Sequence, residues 1–290
     1  MRLWWRIGTT VTSVAISAMV AQVLAAPSAT AIPCPDAEVV FARGTNELPG
    51  AGPTGDAFVS AVRAQAGAKS VGVYAVDYPA TMAFSTAVQG ISDARAHILT
   101  TVATCPATKL VLSGFSQGAA VIGFVTASAV PEGVSPDDVP APMPPEVASH
   151  VAAVVLFGKP SARFMNVIKD PNVAVGRDYA AKAIDLCVDN DLVCDPHGSS
   201  FAAHDTYVEA GLVDQGATFA AQRLQAMWAA DAAAAAGAGT GGTTPVTPAP
   251  SPLSNVGQSP APHLEPSAPV APGPPDLPGP VPLPDPAPAI

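Results

Sequence analysis

The sequence predicts an α/β fold, with a mostly parallel central sheet and helices on both faces. Five short apolar runs alternate along the chain with segments whose apolar residues recur at helical spacing. Such alternation favours parallel strands, because each intervening helix carries the chain back across the sheet in a right-handed crossover. The chain has 290 residues, 49% of them hydrophobic, which is enough for one sizeable core.

The predicted strands are partly β-branched runs bounded by Gly, Pro or polar residues. They cover residues 38–42, 71–77, 109–113, 151–157 and 183–187. Helical spacing of apolar residues predicts helices over 54–66, 86–104 and 117–128. Residues 132–145 are rich in Pro and Asp, and we expect a surface loop there, inserted between the third helix and the fourth strand.

Residues 1–31 have the pattern of a secretory signal peptide. Two arginines precede a long uncharged apolar stretch, and small residues at Ala29 and Ala31 are typical of a cleavage site after Ala31. Cleavage after Ala26 is an alternative, and a retained membrane anchor is the competing interpretation of the apolar stretch. We expect a secreted protein, either extracellular or associated with the cell wall.

The C-terminal residues 236–290 predict an Ala- and Pro-rich disordered tail. About half of the 33 prolines lie there, and from residue 241 onward only Glu265, Asp276 and Asp285 are charged. Such a segment cannot bury enough apolar area to offset its conformational entropy, and its prolines favour an extended spacer. We expect a solvated tail that could associate with the cell envelope. Residues 32–235 then form a single domain.

The charge balance and the cysteines limit the class of partner and the compartment. A formal net charge of -10, without any basic run, argues against nucleic acid and against anionic membrane surfaces. The four cysteines all lie in the predicted domain, and an even number in an exported chain predicts disulfides. Cys187 and Cys194 are close enough in sequence to close a tight loop, which would leave Cys34 for Cys105. We expect no metal and no cofactor, because the sequence has no metal-ligand spacing and no phosphate-binding glycine pattern.

One motif predicts a nucleophile. Residues 114–118 read Gly-Phe-Ser-Gln-Gly and lie between a predicted strand and a predicted helix. In that context the two glycines allow a sharp turn that exposes Ser116 at the carboxyl end of the sheet. A glycine-rich turn with an ordinary helix-capping serine is the alternative.

A serine nucleophile needs a base, and in this fold the acid and then the histidine follow the serine along the chain. His197 and His204 are the two histidines in the right part of the sequence. The acid candidates all lie just after the last predicted strand; they are Asp185, Asp189, Asp191 and Asp195. Asp191 is preferred because a disulfide between the flanking cysteines would fix its loop, although composition alone does not separate it from Asp189.

Four motifs together resemble the cutinase family. Residues 187–194 read Cys-Val-Asp-Asn-Asp-Leu-Val-Cys, 204–207 read His-Asp-Thr-Tyr, 41–47 read Phe-Ala-Arg-Gly-Thr-Asn-Glu and 114–119 read Gly-Phe-Ser-Gln-Gly-Ala. The resemblance extends from about Cys34 to Leu224 in the family's order and spacing. It is closest to the cutinase-like secreted esterases of mycobacteria and related actinobacteria.

The resemblance implies a small α/β-hydrolase without a lid. It implies Ser116 as nucleophile, Asp191 as the acid and His204, rather than His197, as the base. It also implies an oxyanion hole at Thr45 and at the backbone N–H of Gln117. The family's disulfides would pair Cys34 with Cys105 and Cys187 with Cys194.

The expected function is hydrolysis of carboxylic esters of short to medium acyl chains, lipids or cutin-like polyesters through an acyl-enzyme. The substrate would be a small ester or lipid, and we expect a monomer. Three departures from fungal cutinases leave polymer specificity open: Thr45 in place of serine, a longer loop at 132–145 and the Pro-rich tail. Residues 79–84 and the segment around Phe201 are candidates to flank the acyl chain, with Met82 and Phe84 offering apolar contact. Alternative functions are a phospholipase or thioesterase on envelope lipids, an acetylxylan-type esterase, and a non-enzymatic surface protein acting through its tail.

Overall fold

The computed structural model describes residues 34–239, which form an α/β fold around a five-stranded sheet. The strands are β1 (Ala37–Ala42), β2 (Val71–Ala75), β3 (Lys109–Phe115), β4 (Val151–Phe157) and β5 (Ala183–Leu186). Their order across the sheet is β2-β1-β3-β4-β5, and every neighbouring pair is parallel. The predicted fold class is therefore confirmed, and each predicted strand is present with small shifts at its ends.

Within the described residues, six α-helices accompany the sheet. They are α1 (Gly52–Gln65), α2 (Ala87–Thr104), α3 (Gln117–Val125), α4 (Ala162–Ile168), α5 (Arg177–Ala180) and α6 (Leu212–Gly239). The first three correspond to the predicted helices. The last three were not predicted, and α6 runs through the predicted domain boundary at residue 235, since its Ala-rich end was assigned to the tail. Alanine has the highest helix propensity, so an Ala-rich sequence extends a helix whose first turns are packed. The predicted signal peptide and the tail beyond residue 239 lie outside the described residues.

Within residues 34–239, no helix is both long enough and apolar enough to cross a membrane.

The sheet separates two layers of the core. One layer lies under α2 and α3, and the other lies under α1 and α6. Every residue of β3 and β4 is buried, because helices cover both faces of these central strands. This explains why their sequences are nearly continuous apolar runs rather than alternating ones. In the second layer Phe58 packs between Phe41 and Phe157, with ring centroids 6.2 and 5.3 Å apart.

The Pro- and Asp-rich segment that follows α3 is a loop, as the sequence predicts. Its own backbone turns are closed by hydrogen bonds from Val134 N–H to Pro131 and from Asp138 N–H to Ser135, at 3.2 and 3.1 Å. Arg95 on α2 donates to the carbonyl of Ala141 over 2.8 Å and so ties the segment to the body of the fold. The segment ends in a short 3-10 helix that leads directly into β4.

Two disulfides join the four cysteines in the pairing that the resemblance implies. Cys34 pairs with Cys105 across 71 residues, which links the chain before β1 to the end of α2. Cys187 pairs with Cys194 across 7 residues and closes the loop that follows β5. The first bridge constrains a long stretch of chain, while the second shapes one loop.

Removal of the long-range bridge should lower stability without changing the catalytic site. We expect the double variant Cys34→Ser/Cys105→Ser to lose about 2–4 kcal/mol in the free energy of unfolding, because the unfolded chain regains the entropy of an open loop. Guanidinium denaturation of the variant and the parent under oxidising conditions measures this. An unchanged midpoint and slope would contradict the assignment of a stabilising role to this bridge.

Candidate active site

The ends of neighbouring strands bring the candidate residues to one edge of the sheet. Ala42 at the end of β1 is in register with Gly114 near the end of β3. Thr45 follows the first of these strands and Ser116 follows the second. The N–H of Ser116 donates to Phe157 O over 2.9 Å, so the turn at Ser116 is joined to the end of β4. Carboxyl ends of parallel strands are where α/β proteins place their ligands.

The backbone at Ser116 is strained in the way that a nucleophile elbow requires. Its φ of 55° and ψ of -119° lie outside the regions that residues with a side chain favour. The two flanking glycines have no room for a side chain. A Cβ on Gly118 would lie 1.9 Å from the carbonyl oxygen of Ala42, and one on Gly114 would lie 2.4 Å from that of Gly118. The turn is held because α3 begins in direct contact with β1.

Asp191 and His204 form a buried hydrogen-bonded pair. Nδ1 of His204 lies 2.7 Å from Oδ2 of Asp191, whose side chain has no exposed area. The same oxygen accepts the hydroxyl of Tyr207 at 2.7 Å, and Oδ1 accepts the N–H of Val193 at 2.8 Å. Sγ of Cys194, part of the short disulfide, lies 3.0 Å from Oδ2. The carboxylate is thus surrounded by donors and by the disulfide that closes its loop.

These contacts set the charge of Asp191. Burial alone would raise the pKa of its carboxyl group, but hydrogen bonds from His204, Tyr207 and Val193 outweigh burial, and the pKa lies below its ordinary value. The carboxylate therefore keeps its negative charge at neutral pH. Hydrogen bonding to Nδ1 leaves Nε2 as the histidine nitrogen available for chemistry.

The ring of His204 lies beside the serine turn. It stacks on Phe115, the residue before Ser116, with centroids 4.9 Å apart. Its Cε1 lies so close to Gly158 that a Cβ there would be 2.8 Å away. Nε2 is buried and has no hydrogen-bond partner within residues 34–239, so no bond to Ser116 is formed in this structure. Catalytic hydrogen bonds often tighten only when substrate binds.

The structure separates the alternatives that the sequence left open. His197 is exposed, and its backbone N–H donates to Asp195 Oδ1. Asp189 is exposed, and Asp185 pairs with Lys159 at 2.6 Å. Of the four acid candidates, Asp191 is the one that is fully buried and contacts an imidazole.

The turn that carries Thr45 is held by a buried arginine that was not predicted as a functional residue. Arg43 donates through Nε to Glu47 O at 2.9 Å, and its guanidinium also donates to the carbonyls of Val76 and Tyr78. The hydroxyl of Tyr78 donates back to the carbonyl of Arg43 at 2.5 Å. The guanidinium thereby fixes a polar loop that has little secondary structure. The sequence signal for Arg43 was its position in the motif at residues 41–47.

Glu47 and Asn46 complete the support of this turn. Oε2 of Glu47 accepts the N–H of Gly44 at 2.5 Å, and Asn46 N–H donates to Ala80 O at 2.6 Å. Burial raises the pKa of the Glu47 carboxyl group, with the bond from Gly44 and the charge of Arg43 opposing the rise. Thr45 itself is half-buried. Gln117 is fully buried, and its side-chain amide donates to Thr81 O at 2.9 Å, while its backbone N–H is the first of α3.

The predicted apolar contacts lie on loops around this edge. Met82 and Phe201 are largely exposed, with 73% and 62% of their surface accessible. Phe84 is half-buried and contacts Phe164 of α4, with ring centroids 6.4 Å apart. Met82 and Phe201 therefore do not pack beneath loops.

Comparison with known proteins identifies the family of this chain. The family model described as Cutinase matches residues 33–224, about two thirds of the chain. The chain belongs to the cutinase family. The resemblance inferred from the sequence motifs is thereby confirmed.

Relatives of this cutinase-family protein include mycobacterial proteins and a solved fungal structure. "Probable carboxylesterase Culp5" of Mycobacterium tuberculosis is 57% identical over 167 residues, which are 58% of this chain and 95% of that protein. "Phospholipase Culp4" of the same organism is 43% identical over 226 residues, 76% of this chain and 95% of that protein. The structure of Trichoderma reesei cutinase with a C11Y4 phosphonate inhibitor has a TM-score of 0.50 and 30% identity, and the match covers 66% of this chain and 78% of that one.

Tyr207 was part of a motif in the sequence, but its role was not predicted. Its phenol is buried, and burial followed by the contact with Asp191 raises the pKa of its hydroxyl group, which therefore remains a donor. The sequence signal was its position three residues after His204. Tyr207 donates to Oδ2 of the carboxylate, whereas Val193 donates to Oδ1.

Tyr207→Phe should impair this cutinase-family enzyme without unfolding it. Loss of a hydrogen bond to a buried carboxylate is expected to lower kcat roughly tenfold, about 1.4 kcal/mol, with little change in KM. The matched control is Tyr74→Phe, which removes a hydroxyl that bonds Asp93 on α2, 2.9 Å away. Steady-state hydrolysis of a p-nitrophenyl ester compares the two variants. Equal kcat values for both would rule out a positioning role for Tyr207.

Proposed function

We propose that this protein is a serine esterase that hydrolyses carboxylic esters through an acyl-enzyme intermediate. The observation that carries the proposal is the buried Asp191–His204 pair next to the strained turn at Ser116. A buried carboxylate orienting an imidazole beside an activated serine is the arrangement that acyl transfer requires. Membership of the cutinase family supports the same reaction class.

In the proposed first step, Oγ of Ser116 attacks the ester carbonyl while Nε2 of His204 takes its proton. Asp191 holds the imidazole by Nδ1 and stabilises it once it is protonated. The tetrahedral oxyanion is stabilised by the backbone N–H groups of Gln117 and Thr45 and by the Thr45 hydroxyl. His204 then gives its proton to the leaving alcohol, and the acyl group stays on Ser116.

In the proposed second step, water replaces the alcohol. Nε2 of His204 takes a proton from the water, which attacks the acyl-enzyme, and the same oxyanion donors act again. The proton returns to Oγ of Ser116 as the carboxylic acid leaves. The hydrogen bonds of Arg43 hold the turn of Thr45 in place before substrate binds. This matters because a donor that had to reorient would stabilise the charge of the oxyanion less.

The proposed substrates are esters of short to medium acyl chains, including lipids. Met82 and Phe201 are exposed and offer apolar contact, Met82 next to Thr81, whose carbonyl accepts from Gln117, and Phe201 three residues before His204. Phospholipase activity is the second candidate, favoured by the name of the 43% identical relative. Hydrolysis of acetylated polysaccharide is a weaker candidate, since the acetylxylan esterase structures are 24% identical or less and support the fold alone.

The proposed setting is outside the cell. Two disulfides and secretory features in residues 1–31 support export, and the Pro-rich residues beyond 239 would serve as a spacer toward the cell envelope. We propose a monomeric enzyme that uses no metal and no cofactor. Cys187, Cys194 and Asp191 converge within 4.8 Å, but the two sulfurs are joined in a disulfide and offer no thiolate to a metal.

Ser116→Ala tests the proposed function directly. We expect kcat for p-nitrophenyl butyrate to fall at least roughly a thousandfold, because the covalent step is lost. Ser92→Ala is the control, since Ser92 is an exposed serine on α2 and its hydroxyl bonds only its own helix in this structure. Turnover measured at equal protein concentrations compares them. Retention of activity in Ser116→Ala would overturn the proposal.

On the acid side of the pH profile, the fall in kcat/KM should follow the binding of a single proton. Because the pKa of Asp191 is lowered, this carboxylate stays ionised as pH falls through the range where an ordinary aspartate is protonated. The loss of activity on acidification is therefore not expected to include protonation of Asp191. A plot of log kcat/KM against pH is expected to fall with unit slope. A slope of two would contradict this assignment.

A further inference from the structure

The loop that carries the buried carboxylate is bonded largely to itself. This acid loop, defined here as residues 187–200, follows β5. Inside it, the N–H of Asp195 donates to Asp191 O at 3.0 Å and the N–H of Leu192 donates to Ser200 O at 3.1 Å, and the short disulfide closes it. Because the loop keeps its own shape, its position relative to the serine turn depends on contacts with other elements.

Helix α4 and its cap supply the polar contacts of this kind. Apart from bonds to residues 203–207, the hydrogen bonds that join the acid loop to the rest of the described structure come from Ser161 and Arg163. Ser161 is the cap of α4, and its N–H and its hydroxyl both donate to Val193 O, at 2.9 and 3.0 Å. Arg163 lies in the first turn of the helix.

Arg163 holds the part of the acid loop that packs on Asp191. Its Nη1 donates to Gly198 O at 2.8 Å and to Pro196 O at 3.3 Å. Gly198 is buried, and a Cβ on it would lie 2.0 Å from the backbone oxygen of Asp191, so the two backbones are in direct contact. A shift of Gly198 toward this oxygen therefore requires a shift of Asp191.

The helix itself is fixed in the fold, whereas its contact with the acid loop is open. Met165, two residues after Arg163, is fully buried, and Phe164 contacts Phe84 with ring centroids 6.4 Å apart. Between the start of the helix and the acid loop lies a cavity of about 290 Å³. It is lined, among others, by Ser161, Ala162, Cys187, Cys194 and Pro196. Polar bonds therefore connect the helix and the loop where close packing does not.

We propose that Arg163 is a positioning residue for acyl transfer, an inference that rests on the proposed esterase function. Its bonds keep the acid loop at the place where Asp191 orients the imidazole of His204 beside Ser116. Without them the bond between Asp191 and His204 persists, but the pair moves relative to the serine turn. Proton transfer needs close placement, and a displacement of about 1 Å costs roughly a hundredfold in rate.

The leaving group of the ester distinguishes such a displacement from a general loss of structure. In acylation His204 takes a proton from Ser116 and then passes it to the leaving group. p-Nitrophenolate is a stable anion and leaves without that proton, whereas an alkoxide must receive it. A displaced imidazole therefore slows hydrolysis of an ethyl ester more than that of a p-nitrophenyl ester. Partial unfolding lowers both rates by the same factor.

Arg163→Leu in the full chain tests the proposal, because it removes the donors and keeps an apolar side chain. We expect kcat/KM to fall roughly tenfold for p-nitrophenyl butyrate and roughly a hundredfold for ethyl butyrate. Arg163→Lys keeps a charged donor without the planar fork and should lie between the parent and Arg163→Leu on both esters. Release of p-nitrophenolate and of butyric acid measures the two rates.

The matched control is Arg177→Leu, which removes an exposed arginine of α5 that lies 3.8 Å from its neighbour Asp178. Both of its rates should equal those of the parent. The proposal is overturned if Arg163→Leu matches this control, or if it lowers both rates by the same factor. If thermal unfolding shows that Arg163→Leu does not fold, Arg163→Lys decides by the same comparison, and an unchanged ratio of its two rates overturns the proposal.

The parent and Ser116→Ala, assayed on the same two esters, test the proposed function separately. Absence of hydrolysis by the parent, or equal hydrolysis by Ser116→Ala, would remove the esterase assignment and the role of Arg163 with it. Hydrolysis that requires Ser116, together with an unchanged ratio of the two rates in the Arg163 variants, would overturn the positioning role alone.

Discussion

The burial of the Asp191 carboxylate is the interaction on which the site depends. A fully buried charge costs several kcal/mol unless it is compensated. At Asp191 the compensation comes from the backbone N–H of Val193 in the same loop, and from the imidazole of His204 and the phenol of Tyr207 in the segment that follows. Each donor can reach the carboxylate only if the loop after β5 keeps its shape. The disulfide between Cys187 and Cys194 maintains that shape, and Sγ of Cys194 lies against Oδ2 of Asp191. The shape of this loop therefore also determines the orientation of the His204 imidazole.

The sheet supplies the second half of the site by a different physical means. The position of Ser116 does not depend on a buried charge. Its strained backbone persists because α3 starts against β1, with no space for a side chain at Gly118. The turn of Thr45 leaves the same strand and is clamped by Arg43 onto the loop after β2. Strand register therefore positions the proposed nucleophile and the proposed oxyanion donor, whereas buried polar bonds position the proposed acid and base.

The sequence predicted what depends on local pattern. Buried central strands read as apolar runs, and the motif at 114–118 predicted the serine turn because its two glycines lie between a strand and a helix. The same reasoning reduced the acids to four candidates around one loop, and only the family resemblance chose His204 over His197. Helix α6 was not predicted, because its Ala-rich end looks like the start of a low-complexity tail when tertiary packing is unknown. The roles of Arg43 and Tyr207 were not predicted for a related reason. Arg43 donates to carbonyls of the loop after β2, and Tyr207 donates to the carboxylate of Asp191. Sequence spacing does not reveal such partners.

The contacts around Asp191 and the Pro-rich loop before β4 differ in how a substitution would act on the proposed active site. Around Asp191, the side chains of His204 and Tyr207 are coupled through one carboxylate, so we expect substitution of either of them to lower activity. In the loop, by contrast, residues 129–142 are tied by their own turns and by the bond from Arg95 to Ala141, and within residues 34–239 none of them hydrogen-bonds to Asp191 or His204. Its length and bulk can therefore vary without altering the charge arrangement.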